Sequence, residues 1–203
     1  MTTGRGGING VVVGIVTNNK DPDGLGRVKV KFPSINPDDE SNWARVATFF
    51  SGNEMGAYFL PEVDNEVLVA FENGNIDTPY IIGTLWNGKD VQPYDNGDGK
   101  NNLRVIKSRS GHQVILDDTD GEEKIEISDS SGKNMITLDT KEDKITISSN
   151  GDFDILASNG KMTIEAKEIE LKGNSAVKME SGGDYDIKAG GQLNCKGSMI
   201  NLN

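Results

Sequence analysis

Two kinds of hydrophobic pattern follow one another along the chain. In the first ninety residues, short β-branched or alternating runs are cut by turn formers. Gly10-Val-Val-Val-Gly-Ile-Val-Thr17 ends at Asn18-Asn-Lys-Asp-Pro-Asp-Gly24, and Arg27-Val-Lys-Val-Lys-Phe32 stops at Pro33. Trp43-Ala-Arg-Val-Ala-Thr-Phe-Phe50, Glu66-Val-Leu-Val-Ala-Phe71 and Tyr80-Ile-Ile-Gly-Thr-Leu-Trp86 complete a set of five predicted strands. None of these stretches has a helical period, so they predict a small closed or nearly closed β-barrel.

From residue 123 the pattern changes to apolar pairs at i and i+2. The pairs are Ile125/Ile127, Ile136/Leu138, Ile145/Ile147, Phe153/Ile155, Met162/Ile164, Ile169/Leu171, Val177/Met179, Tyr185/Ile187, Leu193/Cys195 and Ile200/Leu202. Their second members are separated by 11, 9, 8, 9, 7, 8, 8, 8 and 7 residues, with Gly, Asn, Ser or Asp between pairs. This is an internal repeat of strand and turn. Side chains alternate across a strand, so each pair faces one way, while Glu126, Asp139, Lys144, Asp154, Glu165, Glu170, Lys178, Asp186 and Lys188 face the other.

Strands this short cannot build a two-sided core within one chain, and their edges are open to pairing. One remedy is a single-chain solenoid with two or three units per coil, since one coil needs roughly 18 residues or more. The other is an intertwined oligomer that points every pair at a shared axis. The oligomer is the stronger reading, because a solenoid normally ends in a polar cap and this pattern runs on to Ile200-Asn-Leu-Asn203. It makes Ile125, Ile127, Ile136, Leu138, Ile145, Ile147, Ile155, Met162, Ile164, Ile169, Leu171, Val177, Met179, Ile187, Leu193, Cys195, Ile200 and Leu202 the predicted intermolecular core.

Composition sharpens the division. All six prolines and both tryptophans precede residue 94, and ten of the twelve aromatics lie in the first hundred residues. The turn-rich Asp95-Asn-Gly-Asp-Gly-Lys-Asn-Asn102 joins the two parts. The predicted organisation is a flexible segment over 1–7, a barrel over 8–94, a connection and neck over 95–122, and a needle of repeats over 123–203. A hydrophobic fraction of 34% is low for a chain of 203 residues, and a shared core explains it. The net charge of −11 argues against binding nucleic acid, with only Arg27, Lys29 and Lys31 clustered. The longest nearly apolar run, Gly10–Val16, is far below the ~20 residues of a membrane-spanning helix.

The candidate chemistry is sparse. One cysteine and one histidine cannot supply a multi-cysteine or three-histidine metal site within a chain. His112 reads as a strand-start residue; a threefold axis bringing three copies to one metal is the weaker alternative. Cys195 holds an apolar position of its pair and reads as a small buried hydrophobe. Asp117-Asp-Thr-Asp-Gly121 and Asp95-Asn-Gly-Asp-Gly99 lack the spacing of a calcium loop and read as turns. The glycine-rich Gly24-Leu-Gly26 and 184–191 match no phosphate loop. No catalytic residues, cofactor or metal are therefore expected, and a structural role is favoured over an enzyme.

The five-strand count fits an OB-fold, and the motifs carry a resemblance. Asn18–Pro33, Trp43–Ala47, Pro61–Gly74 and Thr78–Gly88 resemble the OB-fold domain of contractile-tail spikes, the phage baseplate protein V family and the VgrG proteins of type VI secretion and related injection systems. Arg109–Gly121 is similar to that family's entry into its needle. The resemblance spans roughly residues 8–203 and implies an all-β homotrimer, with three OB-folds as a collar and an intertwined triple-stranded β-helix behind them. It further implies a spike driven through a target envelope, touching the membrane only transiently. A hub or baseplate protein is implied on the barrel side, and a PAAR-type tip protein or effector on Ile200, Asn201, Leu202 and Asn203. Such a particle is assembled in the bacterial cytoplasm and delivered outside the cell.

The family usually has Gly-Asp where this chain has Asp64-Asn65, and both can serve a turn. VgrG chains carry a large hub domain ahead of the OB-fold and nothing comparable precedes Ile8, so a separate protein supplies it or the chain is part of a longer one. The alternatives are an OB-fold module for oligosaccharide or nucleic acid on a β-helical stalk, and a carbohydrate-cleaving tail spike.

Overall fold

A computed structural model describes residues 7–201 and divides the chain into two units, Met1–Asp152 and Phe153–Asn203. The protein is all-β; one 3-10 turn, Glu72–Gly74, is the sole helical element among the described residues.

The barrel forms around β1 (Val11–Asn18), which pairs antiparallel with β2 (Lys29–Phe32) on one side and β7 (Glu66–Phe71) on the other. β7 pairs in turn with β8 (Pro79–Leu85). β3 (Asn36–Glu40) runs along β2, and the chain then bridges Ala44 to Val28 through hydrogen bonds of 3.0 and 2.7 Å. At β4 (Arg45–Val46) it crosses to lie parallel to β8, where Ala47 N–H donates to the Ile81 carbonyl at 2.8 Å. One bent segment thus touches both ends of the sheet and closes it.

Alternate residues point inward. Val16, Val28, Val30, Phe32, Ala44, Val67, Val69, Phe71 and Ile81 are all buried, with the Phe32 and Phe71 rings 5.4 Å apart at 60°. This tilted geometry is favourable for paired aromatics.

The structure corrects two strand readings. The predicted strand Trp43–Phe50 shrinks to Arg45–Val46, and Phe49 and Phe50 lie exposed beside a small hairpin of β5 (Ser51–Gly52) and β6 (Met55–Gly56). Gly56 permits that hairpin: its φ is 151°, and an added Cβ would sit 2.8 Å from the Phe50 carbonyl oxygen. β3 was not predicted, since Asn-Pro-Asp-Asp-Glu has no apolar residue. Glu40 ties it in place by accepting hydrogen bonds from Thr17 Oγ1 at 2.6 Å and Lys29 Nζ at 2.7 Å.

The rest of the first unit is a five-stranded antiparallel meander in chain order. Its strands are β9 (Leu103–Lys107), β10 (Gln113–Asp117), β11 (Lys124–Ser128), β12 (Met135–Asp139) and β13 (Lys144–Ser148). Five residues pair with five across each junction, with no register shift. The stretch 95–122, expected to be a connection and neck, therefore carries two full strands of this sheet.

The second unit has no paired strands among its described residues. It consists of segments without regular secondary structure, broken by bends or turns at 158–160, 167, 174–175, 182–183, 190–191 and 198. The bends recur about every eight residues, and the apolar pairs fall between them.

Candidate functional site

The register of the meander sets the apolar pairs of β10 to β13 on one face. Ile106, Val114, Ile127, Ile136 and Ile147 lie in one cross-strand row. Leu116, Ile125, Leu138 and Ile145 form the adjacent row, which begins at Arg104. Within the chain this face is open: Ile127 is 47% exposed and Ile145 69%. Apart from Met135, the opposite face is polar over β11 to β13, with Glu126, Thr137 and Thr146 in register. At β9 that second face is apolar too, where Leu103 and Val105 line a hollow with Trp86, Gln92, Tyr94 and Asp117.

The predicted core residues of 125–147 thus come together in two rows. The sequence reading missed Ile106, Val114 and Leu116, which extend the rows by two strands. Val114 and Leu116 carried the same i, i+2 signal, but Ile115 between them obscured the alternation. From Ile155 to Ile200 the predicted core residues are exposed and distributed over separate segments. Cys195 is likewise exposed. Leu202 and Asn203, predicted for the core and the tip, lie outside the described residues.

The backbone makes the same point. Among the described residues of the second unit, the backbone–backbone hydrogen bond within the chain is Gly160 N–H to the Ala157 carbonyl at 3.2 Å. The backbone N–H and C=O groups of the other described residues there have no backbone partner within the chain.

The acidic clusters form turns. Asp117 Oδ1 accepts from Thr119 N–H at 3.0 Å and from its hydroxyl at 2.6 Å, which lowers the Asp117 pKa. Asp129 caps the β11–β12 turn by accepting from the Ser131 hydroxyl at 2.8 Å and from Asn134 Nδ2, also at 2.8 Å. These bonds, the Ser131 hydroxyl foremost, hold its pKa at about 2, against an ordinary 3.8. The folded value lies below the unfolded one, so this stabilisation is present above pH ~4 and fades as pH falls toward 2. We expect the Ser131 and Asn134 amide resonances to titrate together with a midpoint near 2, and Asp129→Asn to abolish that transition in the NMR pH series.

The basic cluster on the barrel is largely engaged internally. Arg27 donates to Asp21 from Nε at 2.8 Å and Nη2 at 2.7 Å, which holds the Asp21 carboxyl far below its usual range. Its guanidinium lies 5.8 Å from the centre of the Trp43 ring, and Lys29 Nζ lies 5.5 Å from it. With Lys29 also bound to Glu40, Arg27 ties its own loop and Lys29 ties β2 to β3, and neither is free to present a patch for phosphates. His112 sits at the β9–β10 turn, where its Nδ1 accepts from Ser130 N–H at 3.3 Å. Among the described residues no three His, Cys, Asp or Glu side chains are grouped to hold a metal ion. No helix there is long and apolar enough to cross a membrane.

Residues 12–86 match the family model of the type VI secretion system/phage-baseplate injector OB domain, which covers the barrel. Over 173 residues, 83% of the chain, the sequence is 28% identical to the actin cross-linking toxin VgrG1 of Vibrio cholerae, and covers 15% of that protein. It is 32% identical over 125 residues to the type VI secretion system spike protein VgrG3 of Vibrio cholerae, covering 60% of this chain and 12% of that one. Against the spike protein VgrG1a of Pseudomonas aeruginosa, the identity is 30% over 135 residues, 61% of this chain and 21% of the other. The chain thus spans about a fifth or less of the length of these relatives.

Proposed function

We infer that this chain, which belongs to the VgrG-type family of contractile-tail spikes, serves as the trimeric puncturing needle of such an apparatus. The observation that carries the reading is the unsatisfied half-core. Two apolar rows lie open on the meander, and beyond them unpaired segments bend every eight residues. Three copies wound about one axis would bury both rows and pair the free backbone, giving a narrow, stiff prism with charged outer faces.

The function is then mechanical. Continuous strand pairing along the axis resists bending, and outward Lys, Asp and Glu keep the shaft hydrated with little lipid affinity, so contact with a target membrane is transient. The OB collar faces a hub or baseplate protein, and the needle carries a PAAR-type tip protein or an effector. Neither role needs catalysis or a cofactor. Such a particle is assembled in the bacterial cytoplasm and released with its apparatus outside the cell.

Light scattering on the purified full chain tests the oligomer directly. The expected mass is three times 21.9 kDa, with unfolding slow enough to survive SDS without heating. A monomer at micromolar concentration would overturn the reading.

A further inference from the structure

We propose that the hollow lined by Trp86, Tyr94 and β9 is a binding site for a short stretch of uncharged oligosaccharide, with Trp86 as the platform for a sugar ring. It is a second property of the chain and does not depend on how many copies assemble.

The hollow has a volume of about 860 Å³, within the ~300–1,000 Å³ usual for ligand sites. Leu103 and Val105 of β9 give it an apolar lining. Tyr94 is held in place: its hydroxyl donates to Gln113 Oε1 at 3.0 Å, and Lys107 Nζ stands 5.5 Å from its ring centre. Trp86 differs. It follows directly on β8, is 70% exposed, and has no aromatic or cationic partner among the described residues. The other tryptophan, Trp43, has Arg27 and Lys29 against its ring. Trp86 therefore adds little to the barrel core and offers a large flat face to whatever enters the hollow.

Polar groups are set beside that face. The loop 95–102 is shaped by its own bonds, with Asn96 Oδ1 accepting from Asn101 N–H at 2.6 Å. Arg104 fixes its end by donating to the carbonyls of Asn101 and Asn102 at 3.0 and 3.2 Å. Asp95 Oδ1 accepts from Gly97 N–H at 3.4 Å, and Asp98 Oδ1 from Lys100 N–H at 3.0 Å. Among the described residues, Oδ2 of each carboxylate and the side-chain amide of Asn101 make no hydrogen bond, and all three side chains line the hollow. Groups held in place before a ligand arrives cost little to order when it binds.

This combination selects its chemistry. A pyranose has a C–H face that packs on an indole and a rim of hydroxyls that donate to carboxylates and accept from amides. Asp95, Asp98 and Asp117 are in the lining and no Lys, Arg or His is, so phosphate, sulfate and uronate groups are repelled. A proline-rich peptide needs a groove of open aromatic rings, and Tyr94 is already engaged by Lys107 and Gln113. Leu103 and Val105 alternate with Arg104 and Ile106, so the hollow lies on the face of β9 opposite the apolar rows. Burying those rows in an assembly leaves it open, and a sugar held there would give the barrel a grip on a glycan-bearing surface.

Tryptophan emission of the full chain carrying Trp43→Phe, which leaves Trp86 as its one indole, tests this. Cellotetraose, maltotetraose or chitotetraose should shift that emission, at least one of them with a dissociation constant on the order of 1 mM or below. By calorimetry, Trp86→Ala should weaken binding roughly tenfold or more, and Trp86→Phe, which keeps a stacking face, roughly threefold. Asp95→Asn with Asp98→Asn keeps the acceptors that hold the loop and replaces the free oxygens by amides, for a loss of roughly fivefold. Tetragalacturonate should not bind. No response to any of the three neutral tetramers at about 10 mM would overturn the site. So would equal binding of tetragalacturonate, an affinity unmoved by Trp86→Ala, or tighter binding of a decaproline peptide than of any sugar. None of these results bears on the oligomer, whose mass is read separately.

Discussion

Ile164→Asp is expected to abolish trimer formation, dropping the mass by light scattering from three times 21.9 kDa to 21.9 kDa. In the isolated chain Ile164 is 63% exposed, so the substitution removes nothing that one copy needs to fold. In a shared core each chain contributes its own carboxylate at the same axial level. Burying an unpaired charge costs several kcal/mol per ion, and three like charges held close together repel as well. Protonation to avoid the charge leaves three polar groups without partners in an apolar layer. Glu165→Gln, one residue on and facing outward, should leave the mass unchanged. A trimeric Ile164→Asp at the same concentration would remove Ile164 from any axial core.

This contrast explains which parts of the structure were legible in the sequence. The barrel core was, because Val28, Val30 and Phe32, or Val67, Val69 and Phe71, fill alternate positions of strands that one chain completes. β3 was invisible because it buries no apolar side chain; it exists through pairing with β2 and the bonds that Glu40 makes. The strand predicted over Trp43–Phe50 overran because Phe49 and Phe50 extend its apolar run without entering the core. In each case local pattern reported the potential to be a strand, while tertiary pairing decided its length.

The repeat was legible in a different sense. Its spacing showed which residues share a face, and the meander sets those of 125–147 in the two rows that spacing requires. It did not say where a strand finds its partner. From β9 to β13 the partner is the neighbouring strand of the same chain; after Asp152 the same spacing continues without in-chain pairing among the described residues. The turns of the meander are held by side chains. The β11–β12 turn is closed by Asp129 on Ser131 and Asn134, and the β13 exit by Asn134 on Asn150. A pattern of apolar residues does not contain those side-chain bonds, although Asp, Ser and Asn at those positions are their raw material.

Ile81→Ala is expected to unfold or nearly unfold the barrel, lowering its stability by about 2–5 kcal/mol. Domains of this kind have only ~5–15 kcal/mol in total, so the loss is a large share of what is available. Ile81 is 1% exposed and sits at the closure: it opposes Val69 on β7 and Val46 on β4, and its carbonyl accepts from Ala47. Truncation opens a cavity at the one place where the bent segment 44–47 joins the two ends of the sheet, so neighbouring strands cannot simply close over it. Ile82→Ala, on the adjacent and 45% exposed residue, should change stability by well under ~1 kcal/mol. Urea unfolding followed by the fluorescence of Trp43 and Trp86 reads both. The barrel should lose stability in Ile81→Ala while the mass stays trimeric, the reverse of Ile164→Asp. Opposite outcomes for the two variants are what a self-sufficient barrel on a needle with a borrowed core requires; a common loss of both properties would mean that barrel and needle fold as one cooperative unit.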